Sequence, residues 1–203
     1  MLQTAAMIGV LLFSVIFHEC AHGLVALWFG DKTAKEAGRL TLNPFKHIDP
    51  FGTLILPALL RMLGLFPIGW AKPVPVNFNQ LRNPKRDMLW VGLAGPLTNI
   101  LLALISVGLF HLLDDIPLQL RGFLITIVFV NLILAFFNLT PIPPLDGSRV
   151  LFSLLPESLA YHYAKMERFG IIIVLILLNF GLFNLITLLV FKSASLLGID
   201  VYF

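Results

Sequence analysis

The sequence predicts an all-α polytopic membrane protein: about four transmembrane helices, a re-entrant segment, and a small β-element near the cytoplasmic side. Three observations carry that reading. Hydrophobic residues fill 58% of the 203 positions and charged residues 12%, where an ordinary soluble domain is about 45–50% apolar and about 25% charged. Several stretches approach the ~20 apolar residues that a spanning helix needs. Lysine and arginine gather in segments between those stretches, the arrangement expected beside membrane spans.

The first predicted span runs from about Ala5 to Phe29 and stops at Gly30-Asp31-Lys32. A polar stretch with Lys32, Lys35, Arg39 and Lys46 follows, and Gly38-Arg39-Leu40-Thr41-Leu42 alternates like a short strand. Phe51 to Trp70 is apolar but interrupted by Pro57, Arg61, Gly64 and Pro67. A continuous span would place Arg61 near its middle, which is costly, so this segment reads as re-entrant or interfacial. Prolines extend the chain from Ala71 to Asn77, which would pair at an edge with the earlier strand. Further spans are expected at Met88 to Leu113, Leu120 to Leu139 and Phe169 to Phe191. The prolines at 141, 143 and 144 stop the third.

Segments 31–50, 72–87 and 146–168 hold 4, 4 and 3 of the 14 lysines and arginines. They share one side only if residues 51–70 do not cross, and the positive-inside rule makes that side cytoplasmic, with both termini outside. A five-span alternative splits the two four-charge segments across the bilayer. Residues 1–203 read as a single domain without repeat or linker. The N-terminal run lacks a basic n-region and reads as a retained helix, not a cleaved signal peptide. The net charge of +3 reflects residues flanking spans and does not point to nucleic acid. The single cysteine, Cys20, excludes an internal disulfide and a cysteine-rich zinc cluster.

The chemistry-bearing motif is His18-Glu19-Cys20-Ala21-His22, inside the first span. Histidines at i and i+4 share a helix face, about 5–6 Å apart at Cβ, close enough to hold one metal ion. Glu19 between them is placed to activate a metal-bound water as general base. Cys20 lies about 200° round the helix from His18 and faces away. Ionisable residues inside a membrane helix point to function by default. A catalytic zinc takes three protein ligands, and Asp146 is the expected third. It follows a span travelling inward, so it reaches the depth of His18 and His22, and Gly147 gives its backbone freedom. His111 belongs to the opposite side and His162 to a polar stretch. His47 stays open as a different third ligand, an outer partner or a loop-structural residue.

These residues resemble the site-2 protease family of intramembrane zinc metalloproteases, in its compact bacterial and archaeal branch. The matching pieces are Phe17 to Gly23 and Asn138 to Gly147, with Gly38 to Pro44, His47 to Pro50, Gly69 to Asn77 and Ala94 to Asn99. The resemblance covers nearly residues 1–190, without room for PDZ or CBS domains. It implies hydrolysis of a peptide bond within or near a substrate's transmembrane segment. It implies one zinc per chain on His18, His22 and Asp146, with Glu19 activating the water. Asn138 matches a family residue associated with the active site. It would bond the substrate backbone or the developing oxyanion. Asn99 would orient a loop or ligand, or serve helix packing, and Asn131 would bond between helices. The expected partners are transmembrane protein or peptide substrates and the lipid bilayer of a prokaryotic cell membrane, with the site toward the cytoplasm. The oligomeric state is not fixed by the sequence. The β-element would draw an unwound substrate into extended form. Two alternatives stand beside this: a catalytically silent zinc-binding scaffold, and a metal transporter, for which no repeated halves are visible.

Overall fold

The computed structural model describes residues 2–64, 69, 71–113 and 115–199. Pro67 and Trp70 of the apolar segment lie outside the described residues. In chain order come α1 (Leu2–Trp28), a single turn α2 (Thr33–Glu36), a 3-10 turn (Pro44–Lys46), and a wide turn (Pro50–Ile55) running into α3 (Leu56–Met62). A second 3-10 turn (Phe78–Gln80) precedes α4 (Pro84–Leu112) and α5 (Leu118–Asn138). The amphipathic α6 (Asp146–Leu154) and α7 (Glu157–Ala164) lead through a 3-10 turn (Lys165–Phe169) into α8 (Gly170–Leu177) and α9 (Phe183–Leu196).

Four helical stretches are long and apolar enough to cross a membrane: Ala6–Trp28, Pro84–Leu112, Leu118–Asn138 and the run Glu157–Leu196. This is an integral membrane protein. Residues Pro50–Met62 extend only about 20 Å as a helix, well short of the ~30 Å of hydrocarbon, so the five-span alternative has no support among the described residues. The last span is longer than its sequence reading and is broken. Phe180 and Gly181 leave helical geometry, and Gly181 takes φ 111, a conformation glycine adopts without steric cost.

Helix α4 is the hub: α1, α5 and α6 all pack on it, and α9 packs on α5. Lipid supplies no hydrophobic drive between spans, so close packing must hold them, and small residues make it possible. Gly92, Ala94, Gly95 and Ala103 of α4 are buried at these contacts. One core cluster joins Ala103 and Val107 to Val128 and Leu132 of α5 and to Ile186, Val190 and Ala194 of α9. A second joins Ala26 of α1, Leu81 and Val91.

The expected strands at 38–42 and 72–77 are absent among the described residues. Both segments are irregular, and side chains take the hydrogen bonds a ladder would have used. Pro73 and Pro75 have no N–H to give. Val74 N donates to Glu19 Oε2 (2.8 Å) and Asn77 N to Asp31 Oδ2 (2.7 Å). The carbonyls of Lys72 and Pro73 accept from Arg39 (2.8 and 3.2 Å). The Thr41 carbonyl accepts from Cys20 Sγ (3.3 Å) and His47 Nε2 (2.8 Å), which occupies one of the acceptors a substrate strand would have paired with. Segment 72–77 is therefore a pinned strap across the loop end of α1. It sits close because Gly23 has no Cβ: one there would lie 2.6 Å from Leu40 and 2.7 Å from Val74.

Candidate metal centre

The two motif histidines lie in the second half of α1 with their rings edge to face and ring centroids 4.7 Å apart, both buried. Across from them α4 presents Val91, Gly95 and Asn99, spaced four apart on one helix face. His22 Nδ1 donates to the Val91 carbonyl and His18 Nδ1 to Asn99 Oδ1, each at 2.6 Å. With each Nδ1 turned to a partner on α4, each Nε2 is the nitrogen available to serve as a ligand. The two Nε2 atoms lie 3.0 Å apart. Gly95 makes the room, since a Cβ there would lie 2.5 Å from both Cε1 and Nε2 of His18.

Asp146 opens α6, beside α4, where the N-terminal helix dipole favours an anion. Its Oδ2 lies 2.9 Å from His18 Nε2 and 3.3 Å from His22 Nε2. That oxygen is buried and has no hydrogen-bond partner. Burial opposes its charge, but the imidazoles of His22 and His18 outweigh that and hold the carboxyl well below the usual carboxylate range. Gly147 serves differently from its expected role. Its φ is not positive; a Cβ there would collide with the Leu139 and Thr140 carbonyls, so it lets α6 begin against the end of α5.

Three potential ligand atoms thus converge within 2.9–3.3 Å. Two imidazole nitrogens and a carboxylate oxygen turned toward one point are a donor set suited to a divalent cation. Nitrogen and carboxylate oxygen at about 2.0–2.1 Å from a tetrahedral zinc would stand about 3.3 Å from one another, so the observed separations fit that ion. His18, His22 and Asp146 form the metal-competent group found among the described residues.

The other expected residues fall as follows. Glu19 is partly buried and gives Oε2 to the Val74 N–H. Asn99 holds His18, while Asn131 bonds Asn99 (2.8 Å) between helices. Asn138 Nδ2 donates to Leu134 O of its own helix (3.0 Å), and no described contact links it to the ligand group. His47 is buried on the Thr41 carbonyl and is not part of the group. His111 Nε2 donates to Leu197 O (2.9 Å) and His162 Nδ1 to Ser158 O (2.8 Å). Sequence reasoning missed the Val91 carbonyl, the Val74 N–H and the space left by Gly95. Only the last left a trace, a glycine–proline pair inside a spanning helix.

The profile described as peptidase family M50 matches residues 6–117 and 114–181. Two similar proteins carry the name "Putative zinc metalloprotease". YwhC of Bacillus subtilis is 39% identical over 175 residues, covering 82% of this chain and 77% of that protein. Rip2 of Mycolicibacterium smegmatis is 33% identical over 169 residues, covering 82% and 64%. A protein of Methanocaldococcus jannaschii named a zinc metalloprotease is 29% identical over 195 residues, covering 93% of this chain and 46% of its own length. No solved structure gives a significant match. The chain belongs to peptidase family M50, as a zinc metalloendopeptidase of the membrane.

Proposed function

We propose that the chain is an intramembrane endopeptidase: it hydrolyses peptide bonds within or near transmembrane segments of membrane-protein substrates, using zinc held by His18, His22 and Asp146. The depth of the ligand group carries this reading. At 1.5 Å per residue, His22 and His18 lie about 9 and 15 Å inside the Trp28 end of a helix apolar enough to cross the bilayer. Trp28 is 70% exposed, as suits an aromatic anchor at the membrane surface. The relatives named zinc metalloproteases support the same chemistry.

Zinc, when bound, polarises the scissile carbonyl and brings the pKa of a water to about 7. The chain's own residues supply the rest. The Val91 carbonyl and Asn99 hold both imidazoles with their lone pairs inward. Glu19 takes the proton of the attacking water and returns it to the leaving amine as the C–N bond breaks. With Oε2 engaged by Val74 N–H, that transfer falls to Oε1. Asn138, at the end of α5 eight residues before Asp146, is proposed to bond the substrate backbone or oxyanion.

Segments 31–50, 72–87 and 146–168 carry most of the positive charge, which supports a ligand group toward the cytoplasmic side of a prokaryotic cell membrane. Exposed Phe51, Ile55, Leu59 and Met62 form one apolar face of the Pro50–Met62 segment, which fits insertion into the lipid as a re-entrant or interfacial piece.

The test is Glu19→Gln in detergent or vesicles, with a substrate carrying one transmembrane segment. Cleavage should fall by about 10²–10⁴-fold while about one zinc per chain is retained. Cleavage at the wild-type rate would refute the assignment. A wild-type protein that holds zinc and cleaves nothing would favour the silent scaffold.

A further inference from the structure

We propose that Asn131 and Asn99 form a tautomer lock for His18, a polar relay across three spanning helices whose direction is set by two main-chain carbonyls. The inference rests on the metal site proposed above and concerns residues that do not touch the metal.

His18 can serve as a ligand through Nε2 only if Nδ1 carries its proton. Asn99 enforces that if its carbonyl, not its amine, faces the ring. An asparagine amide can sit either way round, and the reversed amide would drive the proton to Nε2 and close the site. What forbids reversal lies on the other side of Asn99. Its Nδ2 donates to the Ser14 carbonyl of α1 (3.3 Å) and to Asn131 Oδ1 of α5 (2.8 Å). The Ser14 carbonyl can only accept. Asn131 is fixed by the same logic: its Nδ2 donates to the Ile127 carbonyl (2.9 Å), so its Oδ1 must face Asn99. The Ser14 hydroxyl takes the remaining Asn131 hydrogen (2.9 Å) and, able to donate or accept, sets no direction.

Asn99 and Asn131 have no exposed surface and Ser14 is buried, so water cannot substitute for any partner. His22 needs no such relay because its Nδ1 donates straight to a main-chain carbonyl. The two ligands thus differ in kind: backbone fixes one tautomer, and side chains fix the other.

The test reads the His18 tautomer by ¹⁵N NMR of histidine-labelled, zinc-loaded full-length protein in detergent. Zinc affinity is read separately by chelator competition, and folding by thermal melting. Wild type should show His18 protonated at Nδ1. Asn99→Leu and Asn131→Leu should shift signal toward the Nε2–H form and weaken zinc about 10–100-fold, the usual cost of losing a ligand's outer partner. Asn99→Asp should rescue, because either protonation state of the acid presents an acceptor to His18 Nδ1. Ser14→Ala removes only the direction-neutral hydroxyl and should leave tautomer and affinity unchanged. Leucine variants that melt lower yet keep the Nδ1–H signal and wild-type affinity would reduce the asparagines to helix packing and overturn the proposal. If the leucine variants do not fold, the other two decide: a tautomer shift in Ser14→Ala, or a tenfold affinity loss in Asn99→Asp, overturns it. Zinc affinity unchanged in every variant despite a shifted tautomer would instead refute His18 as ligand.

Discussion

Gly95→Ala is the smallest change that tests the site's geometry. The new Cβ would lie 2.5 Å from His18 Nε2 and Cε1, about 0.9 Å short of the 3.4 Å where ordinary contact begins. The rings cannot simply swing aside, because each Nδ1 is tied at 2.6 Å to α4 itself, at Val91 and Asn99. Either those bonds break or α4 withdraws from α1 by nearly an ångström. Functional groups tolerate about 0.5 Å of displacement, and a 1 Å error costs about 10²-fold. Zinc affinity should therefore drop about 100-fold, equivalent to about 2.7 kcal/mol, and overpacking should remove about 1–3 kcal/mol of stability. The assay is chelator competition on detergent-purified protein beside a thermal melt. Gly108→Ala is the matched control on the same helix, where an added Cβ meets nothing within 4 Å and should change neither reading. Wild-type zinc affinity in Gly95→Ala would refute the placement of the ligand rings against α4.

Asp146→Asn should weaken zinc by at least about tenfold without unfolding the protein, because it keeps the side chain's shape and removes the anion; equal zinc affinity would remove Asp146 as third ligand. His47→Gln should keep zinc and lower the melting temperature, since His47 bonds Thr41 and not the ligand group; zinc loss would reopen it as a ligand. Lowering the pH should release zinc with uptake of about two protons, both on imidazoles. Asp146, held below the usual carboxylate range, stays anionic while the histidines protonate, so the Asp146→Asn variant should show the same proton count. A count of three in the wild type, measured by titration, would contradict this.

Much of the site was legible because its chemistry is written in side chains at helical spacing. The shared face of His18 and His22 needs no tertiary information, and the approach of Asp146 to them followed from counting spans. What stayed hidden works through backbone or through absence. The Val91 carbonyl that orients His22 and the Val74 N–H on Glu19 have no residue signature, and the space left by Gly95 is visible only once α1 lies on it. The strands were misread for a physical reason. Alternating Leu40 and Leu42, or prolines at 73 and 75, show that a backbone is extended but not what takes its hydrogen bonds. Here Arg39, Asp31 and Glu19 do. The break at Gly181 was masked because apolar composition runs through it without change.

The strap over the loop end of α1 has a consequence for how this protein would look under mutational scanning. The group that meets Glu19 belongs to the main chain, so every replacement at position 74 other than proline keeps it. A scan would record tolerance there, or a mild packing cost from buried Val74, and rank the position as unimportant. Proline alone deletes that N–H, and it would do so between Pro73 and Pro75 on a backbone already extended. In a table of variants, a lone intolerant cell at proline would be the trace of this contact.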